Sequence, residues 1–256
     1  MSRIWPPQSA CRESGAGLGA FVAESQLRKR SVRQESENCM AAMKRTARIE
    51  KITCVFLDIG GVLLTDGWDP HARKRAAKAF GLNAADIEER HLLIFDTYEE
   101  GRITLEEYLG RVVFHQKRPF TRAQFRSFMF AQSKPYPEMI ELVSQLKGRL
   151  GLKIAVVSNE ARELNAYRIR TFRLNTLVDF FVSSCFVHLR KPDADIFRLA
   201  LDLAQVSAQE VVYIENTRMF VEIAEGLGIR SILHEDFRST RTKLASLGLH
   251  VDASNP

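Results

Sequence analysis

The sequence predicts an α/β fold, a doubly wound parallel sheet with an inserted all-helical cap subdomain. Three observations lead there. Five short runs are almost continuously apolar: ITCVFLD (52–58), KIAVVSN (153–159), DFFVSS (179–184), EVVYIEN (210–216) and IRSIL (229–233). Segments of helical period separate the later runs: PEMIELVSQLKGRL (137–150), ARELNAYRIRTF (161–172), DADIFRLALDLA (193–204) and MFVEIAEGLG (219–228). From about 68 to 135 no strand pattern occurs at all. Strands apolar on both faces need cover on both faces, and strands alternating with helices pair in parallel.

Composition sets the outer limits. The chain has 256 residues, is 45% hydrophobic and 27% charged, and has room for a core without staples. Residues 1–50 hold nine Lys/Arg against five Asp/Glu, so +4 of the net +6 lies there. The remaining 28 bases and 26 acids nearly balance, which argues against nucleic acid as a partner. The four cysteines (Cys11, Cys39, Cys54, Cys185) form no CxxC pair, as expected of a reduced, cytoplasmic protein. No apolar run approaches the roughly 20 residues of a membrane span, so no membrane partner is expected.

Residues 1–50 are polar, charged and without apolar period, and read as a disordered tail or as an over-long start ahead of Met40 or Met43. At Ile52 the texture changes, and the first apolar run ends in Asp58 followed by the Gly60-Gly61 turn. The expected α/β core is 51–67 with 136–256. Residues 68–135 form the cap, with helices expected near 70–80, 84–95, 104–115 and 121–131. Thr104 with Glu107 makes a capping box for the third. In KRPFTRAQFRSFMFAQSKPY (117–136), Phe125, Phe128 and Met129 fall at i, i+3, i+4, which reads as a helix face turned inward. His91 and His115 read as surface residues of this segment, and no Cys/His cluster suggests zinc.

Polar groups collect where the strands end. They are Asp58 after the first run, Ser158 and Asn159 ending the second, Lys191 before Pro192 after the third, and Glu215 and Asn216 ending the fourth. In a parallel sheet these share one edge, where ligands bind. A carboxylate can attack phosphorus, Lys and Ser hold non-bridging oxygens, and paired carboxylates attract Mg2+. Ser158-Asn159 also suits a helix N-terminus, which itself favours phosphate.

Four short motifs resemble the haloacid dehalogenase (HAD) superfamily of hydrolases. FLDIGGVLLT resembles its first motif, VVSNE its second, RKPD its third and YIEN its fourth. The spacing is 100 residues from Asp58 to Ser158, 33 to Lys191 and 24 to Glu215. The resemblance covers about 52–248. It implies Asp58 as nucleophile, Lys191 as its charge partner, and Ser158, Asn159 and Gly61 as substrate-binding residues. It implies Mg2+ held by Asp58, the Gly60 backbone carbonyl and Glu215.

The implied activity is hydrolysis of a small phosphorylated metabolite through an aspartyl-phosphate. Two departures stand out. Phosphatases of the family usually carry a second Asp at the Gly60 position as general acid and base, and Asp-Asp or Gly-Asp where this chain has Glu215-Asn216. These departures keep two alternatives open: a metal-free 2-haloacid dehalogenase, and a retired member that binds a ligand or protein without turnover. Asp66 or Asp69 could add a further acid from the cap hinge.

Overall fold

A computed structural model describes residues 51–251. The tail expected over 1–50 lies outside them. Five strands form one sheet: β1 (Cys54–Leu57), β2 (Lys153–Ser158), β3 (Phe180–Ser183), β4 (Val211–Glu215) and β5 (Arg230–Leu233). Their spatial order is β3-β2-β1-β4-β5, and every pairing is parallel. The chain therefore starts at the centre, builds to one edge, returns and builds to the other. The sheet is doubly wound about β1, and its strand order reverses there.

Alternation along β1 explains the two-sided cover. Val55 and Leu57 face one apolar cluster, together with α6 (Pro137–Leu150) and the last helix, α11 (Phe237–Ser246). Cys54 and Phe56 face the other, with α9 (Asp195–Ala204) and α10 (Arg218–Gly226). Successive strand side chains point to opposite faces, so a strand buried on both sides has no polar position to spare. The helix α11 matches none of the expected segments. Its start is fixed by Asp236, whose carboxylate accepts from Ser239 N at 2.8 Å.

Between β1 and β2 every described element is helical. Ahead of α6 they are α1 (Pro70–Phe80), α2 (Ala84–Leu92), α3 (Phe95–Glu99), α4 (Leu105–Val112) and α5 (Arg122–Phe130). Four helices were expected over 68–135; the second, expected over 84–95, ends at Leu92, and an additional short helix follows over Phe95–Glu99. The break at Leu93-Ile94 falls inside the run LLIF, which contains no Gly, Pro or Asn to mark it. The capping box at Thr104 and Glu107 is present. Phe125 and Met129 are buried, and Phe128 packs on the same cluster. That cluster has its own members, among them Trp68, Tyr98, Tyr108 and Leu109. Ala161 and Leu164 join it from α7 (Arg162–Thr171), the helix that follows β2.

Two sets of contacts join this insertion to the sheet. Glu99 O accepts from Ser184 Oγ at 2.7 Å in the short helix α8 (Ser184–Val187), and Arg190 pairs with Asp96 and Glu99. Gly101, at φ +68°, lies so close that a Cβ there would stand 2.3 Å from the Cys185 carbonyl oxygen. The second set centres on Arg168 of α7, which is almost wholly buried. Its guanidinium pairs with Glu160 and donates to Ser133 Oγ at 3.0 Å, Thr65 O at 3.1 Å and Asp66 O at 2.7 Å. One side chain thus holds both chain crossings between the insertion and the sheet.

Replacing Arg168 by Met would strand the buried Glu160 carboxylate. Breaking a buried pair from one side costs about 3–5 kcal/mol. Urea unfolding of Arg168→Met is expected to show that loss, larger at pH 8 than at pH 5 because protonation relieves Glu160. The Arg168→Met/Glu160→Gln double variant recovers part of it. A single variant as stable as the parent contradicts this role.

Candidate active site

Asp58 is the first residue past β1, and its N–H donates to Ile214 O of β4 at 3.1 Å. This hydrogen bond sets the carboxylate at the sheet's carboxyl edge between β2 and β4. Beside it stands Lys191, whose side chain is only 1% exposed. Its Nζ lies 3.1 Å from Asp58 Oδ1, 2.6 Å from Glu215 Oε2 and 3.1 Å from Tyr213 OH. The Phe220 ring lies under the ammonium, 4.9 Å from Nζ. Tyr213 OH accepts from Lys191 and donates to Glu215. Glu215 is fully buried, and its Oε1 accepts from Thr217 N at 2.9 Å. One cation is therefore set between two carboxylates away from water.

Electrostatics follow from that count. Burial pushes the Asp58 carboxyl up, the Glu215 charge pushes it further, and Lys191 and Ser158 oppose, leaving it at about 7. Burial alone would lower the Lys191 ammonium, but Asp58 and Glu215 outweigh it and the net direction is up. Burial raises Tyr213 as well, with Glu215 adding to it. Lysine stays the cation, tyrosine stays neutral, and Asp58 is the member poised to titrate.

The remaining predicted residues divide by what they touch. Ser158 ends β2, and its buried hydroxyl has no well-formed hydrogen bond. Asp58 Oδ1, apart from its ion pair, has none either. Asp58 Oδ1 is held by Lys191 and the Ser158 hydroxyl stands beside the same carboxylate, so a ligand oxygen placed there would meet a buried hydroxyl and a buried ammonium together. Asn159, expected to bind substrate, spends its amide on Lys191: Nδ2 donates to Lys191 O at 2.9 Å, and Oδ1 accepts from Lys191 N at 2.8 Å. Gly61 sits at φ +69°, and a Cβ there would stand 2.0 Å from Asn216 Nδ2, so only glycine fits. At Gly60 a Cβ would stand 3.2 Å from Asp66 Oδ1. The Asp66 carboxyl, raised by partial burial and by Asp69, occupies the space beside the turn.

Asp58, Gly60 and Asn159 line a cavity of about 390 Å3, roofed by residues of the insertion. Trp68, Phe95 and Tyr98 form its apolar wall, with Asp66, Glu99 and Glu160 among its acids. His91 is part of that lining and is 8% exposed, so the expectation of a surface histidine is overturned. It is buried because α2 turns its inner face to Tyr108 and Phe95. Tyr213 and Arg168 were not singled out from sequence. Tyr213 stands two residues before Glu215 and so shares its face of β4, a signal the strand period carries. Arg168 lies in a polar helix with no such mark.

Known proteins resemble this arrangement. A family model described as haloacid dehalogenase-like hydrolase matches residues 52–229. Phosphatase MT3486 of Mycobacterium tuberculosis is 26% identical over 220 residues, covering 80% of this chain and 99% of its own. A phosphorylated carbohydrates phosphatase of Thermotoga maritima is 27% identical over 188 residues, covering 70% and 82%. A HAD family enzyme of Bacteroides thetaiotaomicron, solved with magnesium and inorganic phosphate, has a TM-score of 0.61 at 22% identity, over 71% of this chain and 93% of that one. With the family model spanning four of the five described strands and all the strand-end groups, this chain belongs to the haloacid dehalogenase-like hydrolases.

Proposed function

We propose that the protein is a Mg2+-dependent phosphatase of a small phosphorylated metabolite, with Asp58 as nucleophile. The observation that carries this reading is the Asp58 carboxylate in the lining of a cavity, with the buried Lys191 ammonium 3.1 Å from its Oδ1 and the Ser158 hydroxyl, which has no well-formed hydrogen bond, beside it. An Asp58 oxygen attacks phosphorus in line, the P–O bond to the leaving group breaks, and an aspartyl-phosphate forms. Water then attacks that phosphorus and frees the carboxylate. Ser158 donates to a phosphoryl oxygen, and Lys191 neutralises charge as it gathers there. Asn159 acts on the backbone, holding Lys191 in place.

The donor set suits Mg2+. It is all oxygen, and Mg2+ commonly takes one or two carboxylates and leaves its other positions to water and phosphate. Asp58, the Gly60 carbonyl and Glu215 would hold it, Glu215 through Oε1, whose one partner is the Thr217 N–H, while Oε2 is engaged by both Lys191 and Tyr213. Among the described residues no group of three or more His, Cys, Asp or Glu is gathered to hold a metal ion. Bound there, the ion would stabilise the charge of the transferring phosphoryl group.

Gly60 has no carboxyl to protonate the leaving group. Asp66 is placed to serve instead, with its Oδ1 3.2 Å from where that side chain would begin. Asp66→Asn is expected to lower kcat about 10²-fold or more with little change in KM, as loss of a general acid–base group does. Steady-state kinetics with Mg2+ check this, and an unchanged kcat removes Asp66 from the chemistry.

Asp58→Asn is expected to abolish phosphate release across a panel of phosphomonoesters. Turnover surviving that change would sink the mechanism. The same variant is expected to be more stable. In the native protein the Asp58 carboxyl sits at about 7 rather than its usual 3.8, so the native state holds this proton more tightly than the unfolded chain. Wild-type stability then falls, relative to the variant, as pH rises from about 4 to about 7, and the gap stays constant above. Denaturant midpoints across that range measure the gap.

A further inference from the structure

His91 is held in a way that fixes which of its nitrogens carries the proton. Trp68 Nε1, which can only donate, donates to Tyr108 OH at 2.8 Å. Tyr108 is fully buried, and its other neighbour in reach is His91 Nδ1, also at 2.8 Å. Were Nδ1 to donate, the Tyr108 proton would be left buried without an acceptor, which costs about 1–3 kcal/mol. Tyr108 O–H therefore donates a hydrogen bond to Nδ1, and His91 carries its own proton at Nε2.

The ring is also held neutral. Burial lowers the imidazole to about 4, and the Arg73 charge adds to this while Glu88 opposes it. Phe95 stacks on the ring at 5.3 Å, and no charged partner touches it from α4. Among the described residues Nε2–H has no acceptor, and His91 lines the same cavity as Asp58.

The surroundings limit what that donor meets. Both guanidinium groups of the lining are spent. Arg73 bridges both Glu88 oxygens at 2.7 Å and donates to Trp68 O at 2.6 Å. Arg168 is taken by Glu160 and the crossing segments. The acids Asp66 and Asp69 line it too, with no ion-pair partner among the described residues. A leaving group with a second anion would find repulsion and no free cation there.

We propose that His91 is a specificity-determining residue, whose Nε2–H, set by the Trp68–Tyr108 relay, donates to an uncharged oxygen of the leaving group. This rests on the phosphatase reading above and adds the substrate class: monophosphates of neutral, hydroxyl-bearing molecules.

Two measurements on the full chain decide it. Nitrogen-15 NMR of the imidazole is expected to show protonated Nε2 and bare Nδ1 between pH 5 and pH 8. Tyr108→Phe is expected to disperse that tautomer. Protonated Nδ1, or an imidazolium near neutrality, overturns the proposal. The second measurement compares kcat/KM for a hexitol monophosphate with that for hexyl phosphate, which has the same carbons and no hydroxyls. In His91→Phe the ratio is expected to fall about three- to tenfold, the worth of one neutral hydrogen bond. Tyr108→Phe is expected to move it the same way, and a hexitol bisphosphate to be the poorer substrate in the wild type. An unchanged ratio with both esters still hydrolysed overturns the inference and leaves the phosphatase reading intact. Wild-type protein that hydrolyses neither ester with Mg2+ overturns both.

Discussion

Lys191 is buried where an ammonium could not stay without company, and the active edge is built around supplying that company. Taking an unpaired charge out of water costs several kcal/mol, so its partners have to be placed accurately. Glu215 meets it from β4, Asp58 from β1, and the Phe220 ring from α10. Asn159 at the end of β2 grips its peptide on both sides. Three strands and a helix therefore converge on one side chain. Burial keeps the Asp58 carboxyl high, and two carboxylates against one cation add to it. A cation and a phosphoryl group with its own counter-ion would complete the balance.

Arg168 serves the insertion as Lys191 serves the sheet edge. Both are buried cations whose neighbours are backbone carbonyls or carboxylates from distant parts of the chain. Arg168 joins the segment leaving the sheet at Thr65-Asp66 to Ser133 on the segment returning. The cavity between insertion and sheet thereby has a fixed wall at one end. At the other end the Glu99–Gly101 turn closes on Cys185 and Arg190.

Much of this was legible in the residues. The strands betrayed themselves by apolar runs that end in Asp58, Ser158 and Glu215, because runs this short, rich in Val and Ile and bounded by turn residues, suit a strand buried on both faces. Thr104 and Glu107 announced a helix start by chemistry that needs only four residues. What was hidden is what depends on neighbours far along the chain. The break at Leu93-Ile94 is made by packing, with no turn residue to signal it. The burial of His91 depends on Tyr108, 17 positions on, and that of Arg168 on partners up to 103 positions away. The resemblance put Asn159 among the substrate-binding residues, and its bonds to the Lys191 peptide, 32 positions on, are likewise a matter of distant neighbours.

The apolar cluster under the insertion is not made by the insertion alone. Ala161 and Leu164 of α7 belong to it, and Tyr167 stacks on Phe130 at 4.7 Å. The helix that begins just beyond Ser158 is thus shared property of both layers. A chimera that exchanged only residues 66–135 with a relative would part that core from the side chains at 161, 164 and 167 that close it. The unit that can be transplanted is discontinuous: the inserted helices together with one face of α7. Diversity in what such proteins accept would then have to arise by paired change in two stretches of sequence about thirty residues apart, one of them abutting the catalytic edge itself.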